Sequence, residues 1–244
     1  MSERGEVVLI HGFLGAPEDF AALRTSLPDV GFRTVDLLRC AGRDVASLAK
    51  EIVAASIGPS TAAVLGYSLG GRIALTMAAS CGDRPLRFIA VSAHPGLKDP
   101  SERELRAAAD DRLADELVRD GMAAFVDRWY AQPLFASLRE HPEFPAIRGR
   151  RLGGDPGPWA ELLRGCSPGR TASAWEALPA LGDRLAFVAG ERDAKYRELA
   201  AEVGRIAPQA RIHSIPGAGH AIHLERPEAL AAAIGPFLRN RPVA

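Results

Sequence analysis

Six short apolar runs punctuate the chain: VVLIH at 7–11, FRTVDLL at 32–38, AAVLG at 62–66, RFIAVSA at 87–93, RLAFVAG at 184–190 and ARIHSIP at 210–216. Each is too short for a helix and suits a strand, and several are apolar almost without interruption, as strands buried on both faces are. Helical spacing recurs between them, near 17–27, 43–56, 69–80, 194–206 and 226–239. The alternation predicts an α/β fold with a mostly parallel sheet of about six strands flanked by helices.

The alternation breaks between about 97 and 178. Charged, Ala and Leu residues at helical spacing fill that stretch (SERELRAAADDRLADELVRDGMAAFVDRWY), followed by the Pro/Gly-punctuated GGDPGPW. It leaves the sheet after one strand and returns before the next. The expected organisation is a core of 1–96 and 179–244 carrying a helical cap, 97–178, over the carboxyl ends of the strands, where open α/β sheets bind ligands. Leu105, Leu113, Leu117, Met122 and Phe125 are the apolar positions expected to seek a partner surface there.

Composition narrows the function classes. The 244 residues carry 30 basic and 30 acidic side chains, so no polyanion partner and no electrostatic membrane anchor is implied. No apolar stretch reaches the roughly 18 residues of a membrane span. The first residues, MSERGE, run straight into VVLIHG without signal-peptide architecture. Three widely spaced cysteines, Cys40, Cys81 and Cys166, form neither a disulfide framework nor a metal site. The expectation is a cytoplasmic protein acting on a small molecule, with no nucleic acid and no membrane; its oligomeric state is left open.

Candidate chemistry starts at VLGYSLGGR, residues 64–72, where a Gly-x-Ser-x-Gly lies between a strand pattern and a helix pattern. That context makes it a candidate nucleophile elbow, with Gly66 and Gly70 allowing a tight turn and Ser68 raised above the sheet edge. A serine needs a histidine to take its proton and a carboxylate to orient that histidine. Of six histidines, His220 stands out, in the Gly-rich loop of SIPGAGHAIHLERPEAL between the last strand and the last helix. His213 lies within a strand pattern and His141 in a polar loop. His223 follows His220 at a helical spacing but lacks a third metal ligand, so no metal site is assigned. Asp193 in FVAGERDAKY is the preferred acid, with Glu191 the fallback. The order Ser68, Asp193, His220 is that of α/β hydrolases. Backbone N–H groups of Phe13, in IHGFLG, and Leu69 are the expected oxyanion hole.

Taken together, HGFLG, GYSLGGR, SAHPGL, WYAQPLFASL, GERDAKYRELAAEV and IPGAGHAIHLERPEAL resemble the 2-succinyl-6-hydroxy-2,4-cyclohexadiene-1-carboxylate synthases of menaquinone biosynthesis, which have the α/β-hydrolase fold. The resemblance runs from Val7 to about Leu238. HG, GxSxG and GxGH are superfamily features; Arg72 after the elbow, HPGL and WYAQPLF are the specific ones. It implies a lyase that eliminates pyruvate from 2-succinyl-5-enolpyruvyl-6-hydroxy-3-cyclohexene-1-carboxylate without a cofactor, the triad serine acting as a base.

Such a substrate carries three carboxylates, which the planar fork of arginine suits. By resemblance Arg72, Arg106 and an arginine of IRGRRL (Arg151 first, Arg148 second) would bind them, with Tyr67 and Trp129 lining the site. The chain departs from the family pattern at RCAGRDVASL, at Gly153-Gly154 where asparagines are usual, and at CSPGRTASAW. It also starts at the strand bearing IHG, so the leading strands of the usual hydrolase sheet are expected to be absent. The alternatives are an esterase, thioesterase or carbon–carbon bond hydrolase using the triad as a nucleophile, and, last, a non-catalytic binding protein.

Overall fold

The computed structural model describes residues 5–80 and 84–239. The readings of the first four residues and of Cys81 lie outside them. Cys40 and Cys166 are both buried and unpaired.

Six strands, β1 (Glu6–Ile10), β2 (Gly31–Val35), β3 (Thr61–Tyr67), β4 (Arg87–Val91), β5 (Leu185–Gly190) and β6 (Arg211–Ile215), form one parallel sheet in the order β2-β1-β3-β4-β5-β6. The longer helices are α1 (Val45–Ser56), α2 (Leu69–Ser80), α3 (Pro100–Ala131), α4 (Pro156–Gly165), α5 (Ala194–Ile206) and α6 (Pro227–Arg239). Sequence character follows place in the sheet. Every residue of β4 and β5 is buried, whereas β2 and β6, at the edges, alternate toward solvent. β2 stops at Val35, short of the expected 38. The Asp36 carboxylate accepts the Leu38 N–H at 3.1 Å and turns Leu37–Arg39 into a short 3-10 helix.

Strand order fixes where a site can form. From β1 the chain goes to β2 on one side, and from β3 it goes to β4 on the other. The crevice beyond the carboxyl ends of β1 and β3 is therefore the topological switch point. The loop carrying Phe13 leaves β1 there and the turn carrying Ser68 leaves β3.

Between β4 and β5 the described chain contains helices and no strand. Asp99 accepts the Glu102 N–H at 2.9 Å, and Pro100 occupies the first helical position of α3, a good start for a long helix. The helix is broken at Gly121, with φ 77° and ψ 172°, so two segments meet at an angle. Ala114 and Leu117 are buried before the break, and Met122, Phe125, Val126 and Tyr130 after it. Full burial of side chains the size of Leu117 and Phe125 contributes about 1.5–3 kcal/mol each. Leu105, expected to seek a partner, is instead 73% exposed. Nine residues from Ala114, it lies half a turn round the helix from the buried face. No described helix is long and apolar enough to cross a membrane.

Candidate active site

The turn at Ser68 is strained and closely packed. Ser68 has φ 50°, unusual for a residue with a side chain, and its N–H donates to the Val91 carbonyl at 2.9 Å. A Cβ on Gly66 would run into the backbone of Gly70, and one on Gly70 into the carbonyl of Ile10. Only glycine lets β1, the elbow and α2 approach this closely. Leu14 (φ 58°) and Ser92 (φ 47°) are also left-handed, so the excursions cluster just beyond β1, β3 and β4, at one edge of the sheet.

His220 Nδ1 lies 2.8 Å from Asp193 Oδ2, and its Nε2 lies 3.4 Å from Ser68 Oγ. A carboxylate only accepts, so the Nδ1 proton faces Asp193 and Nε2 is free to accept from the serine. The second distance is long, within the looser range of catalytic contacts before substrate tightens them. The other Asp193 oxygen accepts the Tyr196 N–H at 3.3 Å, which fixes the carboxylate at the start of α5. Glu191, the fallback acid, is on different duty: it accepts the Gly217 N–H at 2.8 Å.

Glu225 escaped the sequence reading. Its buried carboxylate accepts the N–H groups of Gly219 (2.8 Å) and Ala221 (3.0 Å), the residues on either side of His220. Tyr67 and Tyr196 flank the imidazole, with ring centroids 5.5 and 4.6 Å away. Burial pushes the Tyr196 hydroxyl up to about 12 and Tyr67 well above its ordinary value, so both stay protonated.

Among the described residues, neither the Phe13 nor the Leu69 N–H has a protein acceptor. These are the two donors expected for an oxyanion hole. His11 holds the first of them in place. Its Nε2 accepts the Leu37 N–H at 3.1 Å, so the ring proton is on Nδ1, which donates to the Gly12 carbonyl at 2.8 Å. The His-Gly pair is a brace between the loop after β1 and the end of β2.

A small cavity beside Ser68, about 30 Å³, is walled in part by Phe13, Tyr67, Trp129 and Arg151, together with Asp19 and His223. Trp129 packs edge-on against Phe13 at 4.9 Å. Arg151 is buried and donates to Asp19 at 2.5 Å and to the Ile147 carbonyl at 2.7 Å. Burial would raise the Asp19 pKa, but the adjacent Arg151 charge, with further hydrogen bonds, brings it below the ordinary value. Arg148 turns away to Asp127 at 2.5 Å. His223 is buried against the Tyr67 ring at 4.2 Å, and burial pulls it down to about 3. His220 and His223 do not converge on a metal position, and no described cluster of three or more His, Cys, Asp or Glu does so.

Arg72 and Arg106 do not line this cavity. Arg72 donates to the Cys166 carbonyl and to Thr171 Oγ, and burial lowers its pKa. Arg106 is paired through Nε with the buried Asp110 at 2.9 Å. His94, from SAHPGL, stands close to both. Burial, then the nearby charges of Lys195, Arg72 and Arg106, push it down to about 4. Of these arginines only Arg72 has no acidic partner among the described residues.

The sequence profile of the alpha/beta hydrolase family matches residues 7–233. A putative 2-succinyl-6-hydroxy-2,4-cyclohexadiene-1-carboxylate synthase of Bacillus subtilis (strain 168) is 31% identical over 249 residues, spanning 96% of this chain and 90% of that protein. The chain belongs to the 2-succinyl-6-hydroxy-2,4-cyclohexadiene-1-carboxylate synthase family. The synthase of Enterobacter sp. (strain 638) is 32% identical over 96% of the chain and 92% of its own length. Protein PHYLLO of Arabidopsis thaliana is 33% identical over 97% of the chain, which spans only 15% of that much longer protein. Among solved structures, MenH from S. aureus superposes with a TM-score of 0.86 at 27% identity, over 98% of this chain and 95% of that one. A malate-bound thermophilic esterase from Thermogutta terrifontis follows at 0.78 and 26%, over 96% and 89%. The family and fold expected from the sequence are thus borne out: an enzyme on the α/β-hydrolase fold.

Proposed function

We propose that this enzyme is a lyase of menaquinone biosynthesis that eliminates pyruvate from 2-succinyl-5-enolpyruvyl-6-hydroxy-3-cyclohexene-1-carboxylate, with Ser68, His220 and Asp193 acting together as the base. The carrying observation is the hydrogen-bonded order Ser68, His220, Asp193 beside the two unoccupied N–H groups of Phe13 and Leu69. Membership of the synthase family supports the choice of reaction.

The names of substrate and product define the step. The proton leaves ring carbon 2, which the succinyl carbonyl acidifies. Its electron pair forms the bond between carbons 2 and 3, the former double bond moves to carbons 4 and 5, and the carbon–oxygen bond at carbon 5 breaks. Enolpyruvate departs and becomes pyruvate. Ser68 Oγ takes the ring proton as its own passes to His220 Nε2, while Asp193 stabilises the imidazolium. Negative charge grows on the succinyl carbonyl oxygen, where the Phe13 and Leu69 N–H groups would meet it.

Residues 97–178 serve in this reading as a cap over a core of 1–96 and 179–244. Arg72, Arg106 and Arg151 would hold carboxylates of the small anionic substrate, with Tyr67 and Trp129 shaping the pocket. The enzyme would work in the cytoplasm. The test is pyruvate release from the purified tricarboxylate by the parent and by Ser68→Ala. We expect turnover by the parent and a loss of roughly 10³-fold or more in the variant. A parent that releases no pyruvate yet cleaves p-nitrophenyl esters would be a hydrolase instead.

A further inference from the structure

Of the stretch WYAQPLFASL, residues 129–138, the proposed reaction uses only Trp129. The remainder folds into a 3-10 turn, Pro133–Phe135, and a short helix, Ala136–Arg139, with Phe135, Ser137 and Leu138 buried. These residues come between β4 and β5 in sequence, yet they meet the two loops that carry Asp193 and His220. The Phe135 ring stands edge-on to the His220 imidazole, with centroids 5.9 Å apart. Glu140 accepts from Arg192, the residue before Asp193, at 2.8 Å. Ser137 fills the space beside Gly219, the residue before His220. A Cβ on Gly219 would overlap Ser137 Oγ and lie 3.0 Å from Ser137 Cβ.

The three contacts differ in weight. Arg192 and Glu140 are both exposed, and such a pair holds little once solvent screens it. The Phe135 contact is toward the loose end of aromatic pairing distances. The Ser137 contact is different in kind, because close-packed atoms cannot interpenetrate. The backbone of Gly219 is not left-handed, so space and not conformation excludes a side chain there. Glu225 acts on the same residue by accepting its N–H at 2.8 Å. A tether and a stop therefore meet at one peptide, directly before the catalytic histidine.

We propose that Ser137 is a positioning residue for His220. It is the stop against which the loop at 219–221 rests, and through that loop it sets the separation of His220 Nε2 from Ser68 Oγ, 3.4 Å here. The inference rests on the triad of the proposed function but not on which bond that triad breaks. A displacement of about 1 Å in a reacting group can cost roughly 100-fold in rate, so a contact of this size matters to turnover more than to binding.

The test exchanges bulk between the two residues. Ser137→Gly opens the space, Gly219→Ala overfills it, and the double variant puts a methyl group of the loop where the serine side chain stood. The next atom that methyl would meet, Glu225 Oε2 at 3.2 Å, ends a flexible side chain and can yield. Parent and variants are assayed for pyruvate release from the tricarboxylate and for hydrolysis of p-nitrophenyl acetate, with melting temperatures to verify folding. Ser137→Gly should lower kcat about tenfold and Gly219→Ala about 100-fold, each with KM within about threefold of the parent. The double variant should be at least about tenfold faster than Gly219→Ala. A parent-like kcat in folded Ser137→Gly, whatever its melting temperature, would make the contact mere packing and overturn the proposal. So would a double variant no faster than Gly219→Ala; if Gly219→Ala does not fold, Ser137→Gly decides alone. A parent that releases no pyruvate while ester hydrolysis follows the expected pattern would refute the elimination and support the positioning. A parent inactive on both compounds would refute the triad, and the positioning with it.

Discussion

Two carboxylates hold His220, and they hold different parts of it. Asp193 fixes the ring through Nδ1, while Glu225 fixes the peptide on either side through two N–H groups. Glu225→Ala should therefore lower kcat about 100-fold with KM nearly unchanged, because proton transfer depends on a loop held to a fraction of an ångström. Glu225→Gln keeps one accepting oxygen and should fall between parent and Ala; equal rates in all three would show that the loop does not need the bracket. At Arg72, loss of a charge-assisted hydrogen bond of about 2–3 kcal/mol predicts roughly a 100-fold fall in kcat/KM for the tricarboxylate in Arg72→Ala. The preference for that compound over p-nitrophenyl acetate should fall with it, whereas an esterase that merely carries an arginine there would lose equally on both. Ser68, Asp193 and His220 were legible because each follows a strand at a fixed point of a recognisable pattern. Glu225 and Asp19 were not. One serves backbone groups, which leave no trace in composition, and the other meets an arginine 132 positions away.

Helix α3 reads in sequence as one amphipathic run, and only Gly121 hints that it is two. Its φ and ψ lie in a region that essentially only glycine occupies, and a Cβ there would touch nothing. Gly121→Ala should thus cost about 1–3 kcal/mol in urea unfolding, entirely from backbone strain. A cost near zero would mean that the two segments straighten freely. The elbow is the opposite case, where space is the constraint. Gly66→Ala places a methyl group inside the turn of Gly70 and should abolish soluble folded protein or cost several kcal/mol. Element positions were otherwise readable from period, with two physical exceptions. At the end of β2 a side-chain cap competed with the strand, and at Leu105 an apolar residue stood off the buried face. Neither is visible until the partner surface is known.

The whole molecule carries two histidines that stay neutral in acid, His94 at about 4 and His223 at about 3, each lowered first by burial. In the unfolded chain both take a proton near pH 6.5. Below that the unfolded state binds protons that the folded state refuses. Stability is fully present above pH 6.5 and falls as the pH drops toward 4 for His94 and 3 for His223. For His223 this amounts to about 1.4 kcal/mol per pH unit, or roughly 2 kcal/mol between pH 6.5 and 5. His223→Gln should flatten the urea-unfolding free energy against pH by about that much, and an unchanged slope would show that the ring is hydrated after all. The parallel sheet was legible from alternating strands and helices, and so was the place where the pattern is interrupted. How the interrupting helices pack depends on contacts between distant residues and was not. That interruption also sets a schedule for synthesis. A ribosome finishes β4, apolar after Arg87 and without its outer neighbour, and must then make residues 92–184 before β5 emerges to cover it. At about 5–20 residues per second the bare edge persists for roughly 5–20 seconds, an open invitation to another nascent chain. Asp193 and His220 emerge later still, so Ser68 is made well before the histidine and carboxylate that it meets in the folded protein.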